Sequence, residues 1–161
     1  MATKTSKRTG ETTTTVSVGI RIDPKIKFAL DIMGRLQKRS LTAVIEWAIS
    51  NAIAQQAVEG SSASLSDVID KIWSTDESTR FVKLCFDMPE ALTYDELRTW
   101  ETIKASSFFW HLDSDGVYST TPADISLSSV RIAWDSLLAH VEKHKLSPTV
   151  VPIQDVDCIP F

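Results

Sequence analysis

An arginine at the end of an alternating run, Arg21, and a close group of cations and hydroxyls, Lys38, Arg39, Ser40 and Thr42, are the side chains best suited to chemistry in this chain. That chemistry is recognition of negative charge rather than bond making. An arginine fork donates two parallel hydrogen bonds to a flat acceptor pair such as guanine O6 and N7, worth about 1–3 kcal/mol of discrimination. Unpaired N–H groups at a helix start, with the Ser40 or Thr42 hydroxyl beside them, form an anion site. Lys25, Lys27, Lys38 and Arg39 add attraction to phosphates that salt screens. No Ser/His/Asp or Cys/His grouping, phosphate loop or catalytic carboxylate pair is evident, so the expectation is no enzyme and no cofactor.

Other constellations compete less well. His140 and His144 stand at i and i+4, a spacing that lets two imidazoles share a metal. Flanked by Glu142, Lys143 and Lys145 at a helix end, they read better as a solvated terminus, and no metal site is expected. Asp113-Ser114-Asp115-Gly116 opens like a calcium loop but lacks the downstream ligands, so a turn is the better reading. The run Phe108, Phe109, Trp110 is either core packing or a partner-binding surface.

The elements that must position the cations follow from periodicity. The first 13 residues are polar, Thr-rich and basic, and read as a disordered arm. Over 14–23, Val16, Val18, Ile20 and Ile22 point one way and Ser17, Gly19 and Arg21 the other, the pattern of one amphipathic strand. Asp23 is then a helix N-cap with Pro24 at the first helical position, and Ile26, Ala29, Leu30, Met33 and Leu36 recur at helical spacing to about 37. A second helix starts near Ser40 or Thr42 and buries Val44, Ile45, Ala48, Ile49, Ala52 and Ile53 before ending near 59.

The stretch 60–64, Gly-Ser-Ser-Ala-Ser, is the most linker-like in the chain and coincides with a change of charge sign. Residues 1–60 carry nine basic and five acidic side chains; residues 61–161 carry eight basic and sixteen acidic ones. The overall charge of −4 therefore hides a basic head on an acidic body, the balance of a polyanion-binding module. The body, 65–147, reads as mainly helical. Thr93 and Glu96 form a capping box, a helix over 126–143 is the clearest of all, and prolines keep a tail, 148–161, extended. Arg80 to Phe86 and Val117 to Thr120 could each pass as a short strand.

A composition 43% hydrophobic and 24% charged is that of a globular chain. No run approaches the roughly 18 apolar residues of a membrane span, and the basic start lacks a signal peptide's apolar core. The isolated Cys85 and Cys158 suit a reducing compartment, so the expected location is the cytoplasm, without a membrane partner.

One strand followed by two helices leaves backbone groups unpaired, so the strand needs a second copy of itself. The segment TVSVGIRIDPKIKFALDIMGRLQKRSLTAVIEWAISNAI resembles the ribbon-helix-helix repressors, the Arc and MetJ family, over about 40 of the 161 residues. The resemblance implies a mainly α protein whose module over 14–59 forms an intertwined dimer, followed by a small helical domain. It also implies that a two-stranded ribbon lies in the major groove of double-stranded DNA. By the same resemblance Ser17, Gly19 and Arg21 face base edges, and the start of the second helix near Ser40, Leu41 and Thr42 clamps a phosphate.

The function expected on these grounds is that of a sequence-specific transcriptional repressor of bacterial or phage type, binding a short palindrome as a dimer or dimer pair. One alternative is an antitoxin-like protein whose acidic half neutralises a protein partner while the head autoregulates. Another is a plasmid or phage DNA-organising protein. In each the head is the same, and the residues after Gly60 set the difference.

Overall fold

The computed structural model describes residues 18–58, 60 and 62–158, with only the backbone given for 155 and 156. Among them are eight α-helices, two 3-10 turns and no strand ladder. Two isolated antiparallel bridges, Ala57 with Ser64 and Trp110 with Ile125, are the only sheet-like pairings among the described residues. The chain divides into two compact units after Lys71, so the 60–64 stretch lies inside the first.

The first unit is a helical pair extended by a short third helix. Asp23 Oδ1 accepts from the Lys25 N–H at 2.8 Å and opens α1, Pro24–Gln37, with Pro24 presetting the first helical φ. Lys27 and Asp31, one turn apart, pair at 2.6 Å on its surface. The helix stops because Lys38 turns into the left-handed region, φ 54° and ψ 42°, where its N–H reaches the carbonyls of Arg35 and Gly34. Ser40 then caps α2, Leu41–Gln55, its Oγ accepting from the Ala43 N–H at 3.2 Å.

Gly34 sets how close the two helices come. It is buried, and a Cβ there would stand 3.1 Å from the Arg39 carbonyl oxygen and 3.7 Å from Val44 Cγ2. After α2 the chain doubles back through Gly60, at φ 74°, into the Ala57–Ser64 bridge. That reversal ends the second helix at Gln55 rather than near 59 as the sequence predicts. The third helix, α3, Leu65–Ile72, starts with a reciprocal cap: Asp67 Oδ2 accepts from the Ser64 N–H at 2.9 Å, and the Ser64 hydroxyl from the Asp67 N–H at 3.3 Å.

The expected ribbon is not formed. Residues 18–23 belong to no strand, and Val18, Ile20 and Arg21 are exposed. The physical reason is the one already contained in the sequence. Among the described residues no other segment supplies ladder partners for the backbone at 18–23, so alternation alone makes no sheet. The mainly helical class holds; the ribbon-helix-helix architecture with its intertwined strands does not. Ser17 and the rest of 14–17 lie outside the described residues.

The second unit is built on aromatic and aliphatic packing. Asp76 caps α4, Glu77–Asp87, accepting from the Thr79 N–H at 2.8 Å and the Ser78 hydroxyl at 2.7 Å. A 3-10 turn over Pro89–Ala91 leads to α5, Tyr94–Ala105, opened by the full Thr93–Glu96 capping box. A second 3-10 turn, Ser107–Phe109, precedes a loop that returns at the Trp110–Ile125 bridge to α6, Leu127–Ile132, and α7, Trp134–Lys143. A single turn of helix, α8, Asp155–Cys158, interrupts the tail expected to stay extended.

Around Ile103, Phe109, Val130, Ala133 and Leu137, all fully buried, gather Phe81, Trp100 and Trp110. Phe81 packs on Trp134 at 5.3 Å between ring centres, and Trp100 on Trp110 at 6.0 Å. The tail is tied in by Ser106, whose buried hydroxyl donates to the Thr102 carbonyl at 2.6 Å and accepts from the Ile153 N–H at 3.0 Å.

Candidate nucleic-acid interface

The turn between α1 and α2 gathers more positive charge than the sequence pattern alone assigns to it. Arg35, in the last turn of α1, lines a shallow cleft of about 250 Å³ together with Gly34, Lys38, Arg39 and Leu41. Arg35, Lys38 and Arg39 are exposed, and among the described residues none has a carboxylate partner. Asp31 also lines the cleft, but its carboxylate is held by Lys27. Ser40 satisfies the Ala43 N–H, and the Val44 N–H goes to the Ser40 carbonyl. Among the described residues the Leu41 and Thr42 N–H groups have no partner, and they lie at the positive end of the helix dipole.

Sequence reasoning named Lys38, Arg39, Ser40, Leu41 and Thr42, and the structure places all five on this one turn. It missed Arg35 as a contributor. The signal was available, since position 35 lies three and four residues before Lys38 and Arg39, on the face that approaches them as α1 ends.

Lys25 is not part of this cluster. It sits in the first turn of α1, exposed, and thirteen residues of helix separate it from Lys38, about 20 Å at 1.5 Å per residue. Gly19 and Arg21 precede that same end of α1. Gly19 has open space around it, with no heavy atom within 4 Å of the point where a Cβ would stand, so close backbone approach by a ligand is sterically free. The cationic surface of the first unit thus has two ends, one with Arg21 and Lys25 and the other with Arg35, Lys38 and Arg39.

Between those ends α1 and α2 leave unusually large apolar side chains uncovered. Phe28 is 64% exposed, Leu36 80% and Ile49 53%, and Ile26 and Trp47 are also open. Among the described residues the buried apolar set of this unit is thin: Val44, Val58 and Val68, with Ile72 at the end of α3. A unit of this size needs more apolar burial than that to be stable alone.

The second unit offers a different surface. Phe109 and Trp110 are buried, and the Trp110 indole N–H donates to the Ile103 carbonyl at 2.8 Å. Of the two readings of Phe108, Phe109 and Trp110, core packing holds and a partner-binding surface does not: burial and a satisfied indole take Phe109 and Trp110 out of reach, with Phe108 packed half-buried against them. The Asp113 loop is a turn in which Asp113 Oδ1 accepts from the Val117 N–H at 2.8 Å and Gly116 takes φ 75°. Hydroxyls of Ser119 and Thr121 hold the Asp124 carboxyl below its usual range.

Cys85 lies in the core, where burial pushes its thiol up to about 12 and leaves it unreactive at neutral pH. Among the described residues no group of three or more His, Cys, Asp or Glu is placed to hold a metal ion, and no helix is long and apolar enough to cross a membrane. Compared with known proteins, the chain matches no family model, no curated protein and no solved structure.

Proposed function

We propose that this protein is a homodimeric DNA-binding regulator that grips the phosphate backbone with the α1–α2 turn. The observation that carries the reading is the placement of Arg35, Lys38 and Arg39, none with a carboxylate partner among the described residues, in one cleft with Leu41, the first residue of α2. Exposed cations beside a helix start fit a phosphate oxygen better than any neutral ligand. Two-fold pairing of such heads over the uncovered faces of α1 and α2 presents two grips to one duplex and suits a palindromic site. Arg21, exposed at the other end of α1, is the side chain assigned to base edges.

Binding measured by fluorescence anisotropy on random and selected duplexes tests this. A dimer using six or more cations loses about 10³-fold in affinity between about 50 and 200 mM salt. Lys38→Ala and Arg39→Ala weaken binding to all sequences alike and lower the salt slope by about 1 per phosphate contact removed, whereas Arg21→Ala relaxes specificity. Affinity that ignores salt, or Arg21→Ala losses equal on random and selected DNA, overturns the assignment.

A second reading rests on the other unit. Leu97, Leu112, Ile132 and Leu146 are each exposed on an acidic body, whose charge suits a basic protein partner, as in an antitoxin. Co-purification of a stoichiometric basic protein from the native host supports it; recovery of the chain with no such protein removes it.

A further inference from the structure

The end of α7 and the segment that follows it line an open cavity of about 500 Å³ that the DNA-binding reading does not use. His140 and His144 line it together, with Lys143 beside them and Val151, Gln154 and Asp157 across from them. Their ring centres are 4.5 Å apart and their planes inclined by 44°. His140 Nε2 lies 2.8 Å from the Val151 carbonyl oxygen. A carbonyl only accepts, so Nε2 carries a proton, and in the neutral ring Nδ1 keeps its lone pair. One imidazole nitrogen anchored on a backbone carbonyl, leaving the other as a ligand, is the arrangement that orients metal-binding histidines.

The spacing fits one ion. A metal bound at 2.0–2.1 Å from a nitrogen of each ring lies about 3.2 Å from both ring centres, which separates the centres by about 4.5 Å at the 90° angle of square-planar Cu²⁺ and by about 5.2 Å at the tetrahedral angle of Zn²⁺. The observed 4.5 Å between ring centres lies within that reach, with rotation of the rings bringing one nitrogen of each onto the ion. The pair also sits at the C-terminal end of α7, where the helix dipole favours positive charge, and Asp157 lines the same cavity.

Two charges oppose a cation. Lys143 lines the cavity, and Arg98 donates to the His144 carbonyl at 3.0 Å. The Lys143 chain is exposed and can carry its ammonium into solvent, and Arg98 is engaged with the backbone. Because no third protein ligand stands close enough to complete a set among the described residues, water fills the remaining positions and the ion is exchangeable.

We propose that His140 and His144 bind one late first-row divalent ion, Cu²⁺ more tightly than Zn²⁺, bracing the segment 151–158 against the end of α7. The order between the two ions follows from imidazole donors without a preformed geometry. The reading departs from the sequence expectation of no metal, which took the pair for a solvated terminus.

Titration calorimetry of the full chain with Zn²⁺, and electron paramagnetic resonance with one equivalent of Cu²⁺, test it. The expected results are one Zn²⁺ per chain, a Cu²⁺ spectrum with coupling to two imidazole nitrogens, and a rise in Tm on adding either ion. His140→Ala also removes the bond to Val151, so His144→Gln is the deciding variant. No hydrogen bond holds the His144 ring among the described residues, and a far-UV dichroism spectrum shows whether that variant keeps its fold. His144→Gln should weaken Zn²⁺ binding at least about tenfold and abolish the two-nitrogen coupling. Uptake undiminished in the folded His144→Gln protein, as binding at the chain's amino group would give, or no uptake of either ion by the wild type, overturns the proposal.

Discussion

Asp76 joins three roles in one carboxylate. Burial raises its pKa, but hydrogen bonds from the Thr79 and Ser78 side chains and the Thr79 N–H, with the Arg131 guanidinium 3.2 Å away, outweigh burial and bring it down to about 2. A folded-state pKa below the unfolded value means stability present above about pH 4 and lost as pH falls towards about 2. With the side chain a third exposed, solvent screening leaves on the order of 1 kcal/mol. Thermal melts between those pH values should show that loss in the wild type and a flatter profile in Asp76→Asn. Lys38 makes the opposite case, a residue whose backbone conformation costs stability: at φ 54° it occupies a region that glycine enters freely. Lys38→Gly is therefore expected to be about 1 kcal/mol more stable than Lys38→Ala, which loses the same charge and keeps the strain. Equal melting temperatures for the two would show that the turn relaxes without glycine.

Among the helices, the α1–α2 pair depends on the closeness that Gly34 permits. Adding one methyl at 3.1 Å from the Arg39 carbonyl oxygen crowds the turn, but alanine also gains about 1 kcal/mol of helix propensity, so Gly34→Ala is expected to be near neutral. Gly34→Val has no such offset and pushes further into Arg39 and Val44, costing about 2 kcal/mol by denaturant melts. A valine variant as stable as the wild type would mean that the helices part without loss. Helix starts were legible in the sequence because their signals are local: Asp23 before Pro24, Ser40, and the Thr93–Glu96 box all cap as their spacing predicts. Other ends were not. The single helix expected over 126–143 is divided at Ala133, at φ −90° and ψ 5°, where the chain tightens by bonding the Ala133 N–H to both Ser129 and Arg131 carbonyls. Ala133 is fully buried among neighbours distant in sequence, and its own propensity says nothing of that.

For the molecule as a whole, the thin core of the first unit and the exposed Ile26, Phe28, Leu36 and Trp47 make self-association the expected state. Sedimentation across micromolar concentrations should show a dimer. Phe28→Asp should weaken it by at least about 3 kcal/mol over the symmetric pair, a factor of about 100 in dissociation constant. A wild-type chain that stays monomeric would leave those faces to a different partner. The division of charge, with its basic head and acidic body, could be read directly, because net charge is additive along the chain. So could the cations of the α1–α2 turn, since a cap and two neighbouring residues place them within a few positions of one another. Pairing and burial are not additive or local. Alternation at 16–22 specifies a face but supplies no hydrogen-bonding partner, and the structure leaves 18–23 unpaired. Composition likewise allowed Phe109 and Trp110 to be surface or core, and only packing against Ile103 and Trp100 buried them. By itself the sequence determined the helical character, the capped starts and the charged head. Tertiary structure decided which apolar residues are covered and whether the extended segment is a strand, because both depend on groups far away in the chain.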